Sequence, residues 1–259
     1  RLDPVTGRPL SQIQPGQQFG VGTYAPQYVD WGTRTYPSRR TSLIVDPPDG
    51  RMPPLTVEAE EWYAEQQIVR RGVGSDEPTL GGFLEDLGGR GLFIRCLLGF
   101  NSGPPMRSHA YNNNVMIFQA PGYVVILNEM VHNARIIPLD DTAKPAFPQL
   151  AGVSRGHWES ETLVVETTHL LPGWLDGSGL PMSGDGTRLV EIYAVSEDRL
   201  TMERKMTIHD PYYTEPLVRT RGSAREDGLE LAEGGSGCDP TTYLQDLWQQ
   251  GRIETLWTN

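Results

Sequence analysis

The sequence lacks long apolar runs, has only two cysteines and carries no surplus of basic charge, and each shortage removes a class of protein. Over 259 residues the longest apolar stretches, such as 123–127, fall far short of the ~20 residues that a membrane-spanning helix needs. Lys and Arg number 22 against 33 Asp and Glu, giving a net charge of −11, and the basic residues stand singly apart from pairs such as Arg39-Arg40 and Arg70-Arg71. Nucleic acid and anionic membranes need a concentrated basic face, so neither is an expected partner, and membrane insertion is not expected either. No GxGxxG follows a strand and no GxxxxGK[ST] occurs, so the chain has no phosphate cradle and no nucleotide cofactor is expected. The GxSxG elbow of an α/β-hydrolase is also missing. The five histidines never stand at HxH or HExxH spacing, and neither cysteine belongs to a CxxC or Cys/His cluster. No metal is therefore expected, although ligands converging from distant strands would leave no such signature.

The cysteines themselves allow two readings. Cys96 lies in GLFIRCLLGF and Cys238 in EGGSGCDP. Bridged, they would close a long loop, remove roughly 4–5 kcal/mol of unfolded-state entropy and imply an oxidising compartment. Unbridged, they are two unrelated buried thiols. No charged-then-apolar leader precedes Arg1, which fits either a mature exported form or a cytosolic protein.

What the chain does contain is a succession of β-hairpins, and one large domain is expected. Residues 1–54 are rich in Pro, Gly, Arg and Thr and read as an extended arm, since VDPPDGRMPPL suits neither a regular helix nor a central strand. A helical segment follows over 55–91. Thr56 is placed to cap a helix with Glu58, Glu60 and Glu61 in its first turn, Arg70 and Arg71 in its last and Gly72 as its stop, and a shorter turn is expected near 80–87. The body, 92–235, changes to strand periodicity. Runs at 115–118 and 123–127 flank Gln-Ala-Pro-Gly, and 135–139 continues the sheet. In RGHWESETLVVETT a two-residue loop at Ser160-Glu161 sets Trp158 opposite Leu163, His157 opposite Val164 and Arg155 opposite Glu166. A third hairpin spans 188–209 with its turn near 197–199, and 217–224 is expected to pair with 229–232. The last segment, 236–259, reads as a helix capped by Thr241 or Thr242 and tethered through Cys238. This order predicts a mostly β fold, an antiparallel meander closed or half-closed as a lipocalin-like barrel.

Three polar groups interrupt the apolar strands. The densest comprises Asn112, Asn113, Asn114, Asn128, Glu129, His132, Asn133 and Arg135. Unbroken alternation puts Glu129, Asn133 and Arg135 on the face of Tyr123, Val125 and Leu127, with Asn128 and His132 opposite; a single bulge exchanges these faces. Glu129 or His132 is placed to move a proton while Arg135 or Asn113 stabilises negative charge. The plainer alternative makes the asparagines turn residues and Glu129 and Arg135 an exposed ion pair. Arg155, His157 and Glu166 form a second group, which reads more simply as a solvated ladder of charges. In the third, Glu191 and Arg204 each put one charge on an otherwise apolar face, beside Tyr193. Such a pair is either structural or part of a site. His109 and His209 read as loop residues.

Four stretches, RTSLIVDPPDGRMPPLT, RCLLGFNSGPPM, YNNNVMIFQAPGYVVILNEMVHNARIIPLD and SRGHWESETLVVETT, cover about a third of the chain. On these the chain resembles an uncharacterised family of bacterial secreted proteins. The resemblance implies an exported, periplasmic or secreted protein and favours the Cys96 to Cys238 bridge. Where that family often has a Cys-His-Glu-Gly-Asn-like run, this chain reads Cys238-Asp239-Pro240-Thr241-Thr242. No catalytic residues carry over.

The sequence thus leads to a cofactor-independent lyase, isomerase or hydrolase acting on a small, partly apolar organic molecule in a barrel cavity. Six Trp and ten Tyr are available to line it. Glu129, His132 and Arg135 are the catalytic candidates, and Tyr111, Asn113, His157, Trp158, Glu191, Tyr193 and Arg204 the substrate-binding ones. The rival is a periplasmic carrier that uses the same cavity without catalysis. Homo-oligomerisation is left open.

Overall fold

Proline and apolar alternation divide the work in this chain, the first setting edges and the second the interior. A computed structural model describes residues 40–72, 97–99, 101–108, 111–140, 145–174, 180–229, 231 and 249. Within the N-terminal arm, strand β1 (Ile44–Asp46) stops at a Pro-Pro pair and occupies the edge of a sheet, where missing N–H donors cost least. Helix α1 (Val57–Gly72) follows, with Thr56 Oγ1 accepting the Ala59 N–H at 3.3 Å and Glu58 and Glu60 meeting the positive end of the helix dipole. It docks through buried Ala59 and through Trp62, whose ring lies 5.6 Å from that of Tyr212.

The body is antiparallel, as the strand periodicity predicts. Strands β2 (Val115–Ala120), β3 (Tyr123–Asn128) and β4 (Ala134–Pro138) form a three-stranded meander whose first turn, Pro121-Gly122, needs the positive φ of +79° that Gly122 supplies. The hairpin of β5 (Val153–Glu159) and β6 (Thr162–Thr168) has the expected register, with Arg155 opposite Glu166, His157 opposite Val164 and Trp158 opposite Leu163. A two-stranded ribbon, β7 (Gly173–Trp174) and β8 (Pro181–Met182), leads to β9 (Arg188–Val195) and β10 (Thr201–His209), which turn where expected. His209 ends β10 rather than lying in a loop. Strand β11 (Leu217–Ala224) pairs with β10 and β1.

The barrel expectation is met only in its coarser part. The fold is mostly β, but β1-β11-β10-β9-β6-β5 form an open six-stranded sheet, and no sheet among the described residues closes on itself. The reason lies in the connections: β4 leads into β5 of the larger sheet without pairing, so the meander lies over that sheet instead of extending it. Val124, Ile126 and Ile137 from the meander pack on Leu163, Val165 and Tyr193 from the sheet, with Met106 between them. Gly156 on β5 permits this approach, since a Cβ there would stand 2.9 Å from Ile137 Cγ2. A second cluster, including Ile44, Leu189, Met206, Ile208 and Leu217, covers the other end of the same face. Each fully buried aliphatic side chain contributes about 1.5–3 kcal/mol, so these two clusters hold the layers together.

Cys96 and Cys238, His109, the turn near 80–87 and the C-terminal helix lie outside the described residues. Among the described residues no helix is long and apolar enough to cross a membrane.

Candidate functional site

Glu191 is the centre of a buried charge network whose geometry follows from the sheet register. Its neighbours on β10 and β6 are Met206 and Val165, so a carboxylate stands in a row of apolar side chains between the two clusters, and it is 0% exposed. An isolated buried charge would cost several kcal/mol, so partners are required. Arg135 Nη1 lies 2.5 Å from Glu191 Oε2, and the Tyr193 hydroxyl donates to Oε1 at 3.0 Å. Arg204 Nη1 stands farther off, 3.8 Å from Oε1, while its Nη2 donates to the Met106 carbonyl at 2.6 Å. Arg135 is satisfied on its other edges, Nε donating to Ser154 Oγ at 2.9 Å and Nη2 to Thr167 Oγ1 at 2.7 Å.

The electrostatics follow from this arrangement. Burial alone would raise the Glu191 carboxyl, but Arg135 and then Arg204 outweigh it and hold the group below the usual carboxylate value. Burial likewise works against the Arg135 charge, and Glu191 more than restores it. Tyr193 is pushed up to about 12, by burial first and by the adjacent Glu191 charge second. A raised folded-state value means that the stability contributed by the neutral phenol is complete below about pH 10 and is lost as pH rises through the folded value. Stability is therefore expected to fall between about pH 10 and 12, and Tyr193→Phe to flatten that fall in urea titrations. Tyr213, also raised by burial, leaves a residual slope. An equally steep loss in the Phe variant would refute the assignment.

The sequence-predicted residues separate into three places. Arg135, Glu191, Arg204 and Tyr193 come together, so the expected Glu191 and Arg204 pair is present but Arg135 is its dominant member. Of the two faces open to Arg135, the structure has the one that a break in the alternation produces. The chain between β3 and β4 makes a 3-10 turn, Met130–His132, which breaks the alternation, and Arg135 pairs opposite Ile126 on the inward face instead of joining Tyr123, Val125 and Leu127. Glu129 is buried apart from that network, and its Oε2 accepts from the Asn114 backbone N–H at 3.1 Å and from Asn114 Nδ2 at 2.9 Å. An exposed Glu129 to Arg135 pair is thereby excluded. His132 is exposed in the turn. Tyr111 and Asn113 are half-buried before β2, with the Tyr111 carbonyl accepting from Asn101 Nδ2 at 3.2 Å. His157 and Trp158 are exposed near the β5-β6 turn, where His157 meets Glu159 at 3.1 Å, and Glu166 pairs with Arg188 at 2.6 Å.

No family model matches this chain, and no curated protein or solved structure is significantly similar to it.

Sequence reading missed Ser154 and Thr167, which hold Arg135, and Met106, whose carbonyl holds Arg204. It also missed a cleft of about 50 Å³ beside the network, lined by Arg107, Arg204, Arg219 and Arg221 together with Leu43 and Met106 among others, and by no carboxylate. The signal was present for two of them. Arg219 and Arg221 alternate with Leu217 along β11, so they share its inward face. Among the described residues no three His, Cys, Asp or Glu side chains converge as a metal site.

Proposed function

We propose that this protein binds and carries a small, partly apolar organic molecule in the arginine-lined cleft, without transforming it. The observation that carries this reading is the division of labour around Arg204. The groups able to do acid–base chemistry in the network, Glu191 and Tyr193, are buried beneath the meander and engaged with each other and, for Glu191, with Arg135. Arg204, held by Glu191 and the Met106 carbonyl, is the member that also lines the cleft. Rigid, pre-oriented donors beside an opening suit recognition, because little side-chain entropy is lost when a ligand arrives. The likeness to bacterial secreted proteins supports a periplasmic or secreted setting for such a carrier, with the Cys96 to Cys238 bridge as part of the same proposal.

A second reading, acid–base catalysis on the same class of molecule, is favoured by one local feature. Val131 and His132 have φ of 50° and 48°, and a β-branched residue in the left-handed region is costly. Such strain tends to gather at functional sites, and this turn directly follows Glu129. An untargeted screen of small organic molecules separates the two, reading binding and turnover in the wild type, Glu129→Gln and His132→Ala. Binding in all three without turnover is expected. Turnover in the wild type that both variants lose would overturn the carrier in favour of catalysis at the turn.

A further inference from the structure

The arginine cleft carries an electrostatic arrangement that apolar burial does not account for. Arg204 and Arg221 stand directly opposite each other on β10 and β11, and Arg219 lies two residues away on the same face, opposite Met206. A fourth guanidinium, Arg107, enters from the segment above the sheet, next to the Met106 carbonyl that fixes Arg204. The Nε of Arg219 is buried and has no hydrogen-bond partner among the described residues, while its Nη2 meets only the soft acceptor Met52 Sδ at 3.4 Å. Arg219 therefore has a donor to offer to an acceptor that enters the cleft it lines.

We propose that this cleft takes the dianionic oxyanion end, a phosphate ester or a dicarboxylate, of the bound molecule. The inference rests on the carrier reading and names its ligand class. Guanidinium forks match the paired oxygens of both groups and do so more selectively than ammonium groups. The volume agrees: one water needs ~10–15 Å³ of such space, so about 50 Å³ accepts a few waters or a single compact oxyanion. Leu43, Met106 and Met206 line the remainder and give a short apolar stem somewhere to lie. The Arg107 guanidinium is pulled below its ordinary value by burial and then by the like charge of Arg219, and an anion between the two relieves both. The molecule as a whole, with its net charge of −11, repels anions at long range. Binding must therefore come from short-range contacts in the cleft and not from diffuse attraction.

Isothermal titration and thermal shift of the full chain with inorganic phosphate, malonate and neutral glycerol test this, at low and physiological salt. Phosphate or malonate is expected to bind and raise Tm, and glycerol to do neither; which anion binds more tightly assigns the source of the oxyanion. Arg219→Gln and Arg221→Gln should each weaken that binding about tenfold, the scale of one charge-assisted hydrogen bond. Lys205→Gln, on the exposed face of β10, should leave it unchanged. Two variants guard against misfolding of either. The proposal is overturned if neither anion binds, or if Lys205→Gln weakens binding as much as the arginine variants. Should a neutral molecule from the screen bind while both anions fail, this proposal falls and the carrier stands; if nothing binds at all, both fall.

Discussion

Glu191→Gln is expected to destabilise the protein by about 3–5 kcal/mol, the cost of breaking a buried ion pair from one side. The amide preserves the shape of the carboxylate and can still accept from Tyr193, so packing changes little. What changes is charge. Arg135, only 5% exposed, would keep a guanidinium whose remaining partners are the hydroxyls of Ser154 and Thr167, and neither carries a compensating charge. Arg204 would retain the Met106 carbonyl and lose its distant counter-ion. Urea unfolding of the two proteins measures this as a lower midpoint at unchanged slope. A loss below about 1 kcal/mol, the range of exposed pairs, would show that the network is solvated and not structural.

The register of the β5-β6 hairpin was legible from the sequence because it depends on local signals, whereas the expected pairing of 217–224 with 229–232 is replaced by pairing of β11 with β10 and β1. Ser160-Glu161 marks a two-residue loop, and the pairing of Arg155 with Glu166 follows by counting. The inward pair Glu191 and Arg204 was legible for the same reason, a charge breaking an apolar alternation. The face of Arg135 stayed open in the sequence because the turn at Met130–His132 has no sequence signature: it holds neither Gly nor Pro, and Val131 is a residue that disfavours the conformation it adopts. The barrel was over-read because strand periodicity fixes which face is buried but not what buries it. Here the meander covers the sheet, and closure is unnecessary. The cleft was hidden by distance in the chain. Arg107, Arg204, Arg219 and Arg221 are spread along the chain among many residues of both signs, so composition argued against any basic site. Only the β10-β11 register and the crossing of the Met106 segment bring them together.

Met106 links the two features. Its side chain packs between the sheets, while its carbonyl orients Arg204, and the next residue supplies Arg107 to the cleft. A change in how this segment sits would alter both the charge network and the recognition surface, so stability and binding are expected to be coupled through Arg204.

Arg135→Met separates structural charge from ligand recognition and carries the second large effect. At neutral pH it should cost about 3–5 kcal/mol, since Glu191 stays ionised in an apolar site with Arg204 at 3.8 Å as its remaining counter-charge and the Tyr193 hydroxyl as its donor. The pH dependence should change sign as well. In the wild type the Glu191 value is lowered, so its stabilisation is present above the unfolded carboxylate value near ~4.3 and is lost as pH falls through the lower folded value. Burial is the largest single influence on this group, and it acts upward. With Arg135 gone, burial prevails and the folded state holds the proton more tightly than the unfolded state does. The variant's stability is then complete below the unfolded value and declines as pH rises through the folded one. Urea unfolding at pH 4 and at pH 7 should therefore find the gap between wild type and Arg135→Met clearly narrower at the lower pH. A gap equal at both values would mean that Glu191 does not bear the cost, and the loss would have to come from the hydroxyls of Ser154 and Thr167, left without their donor.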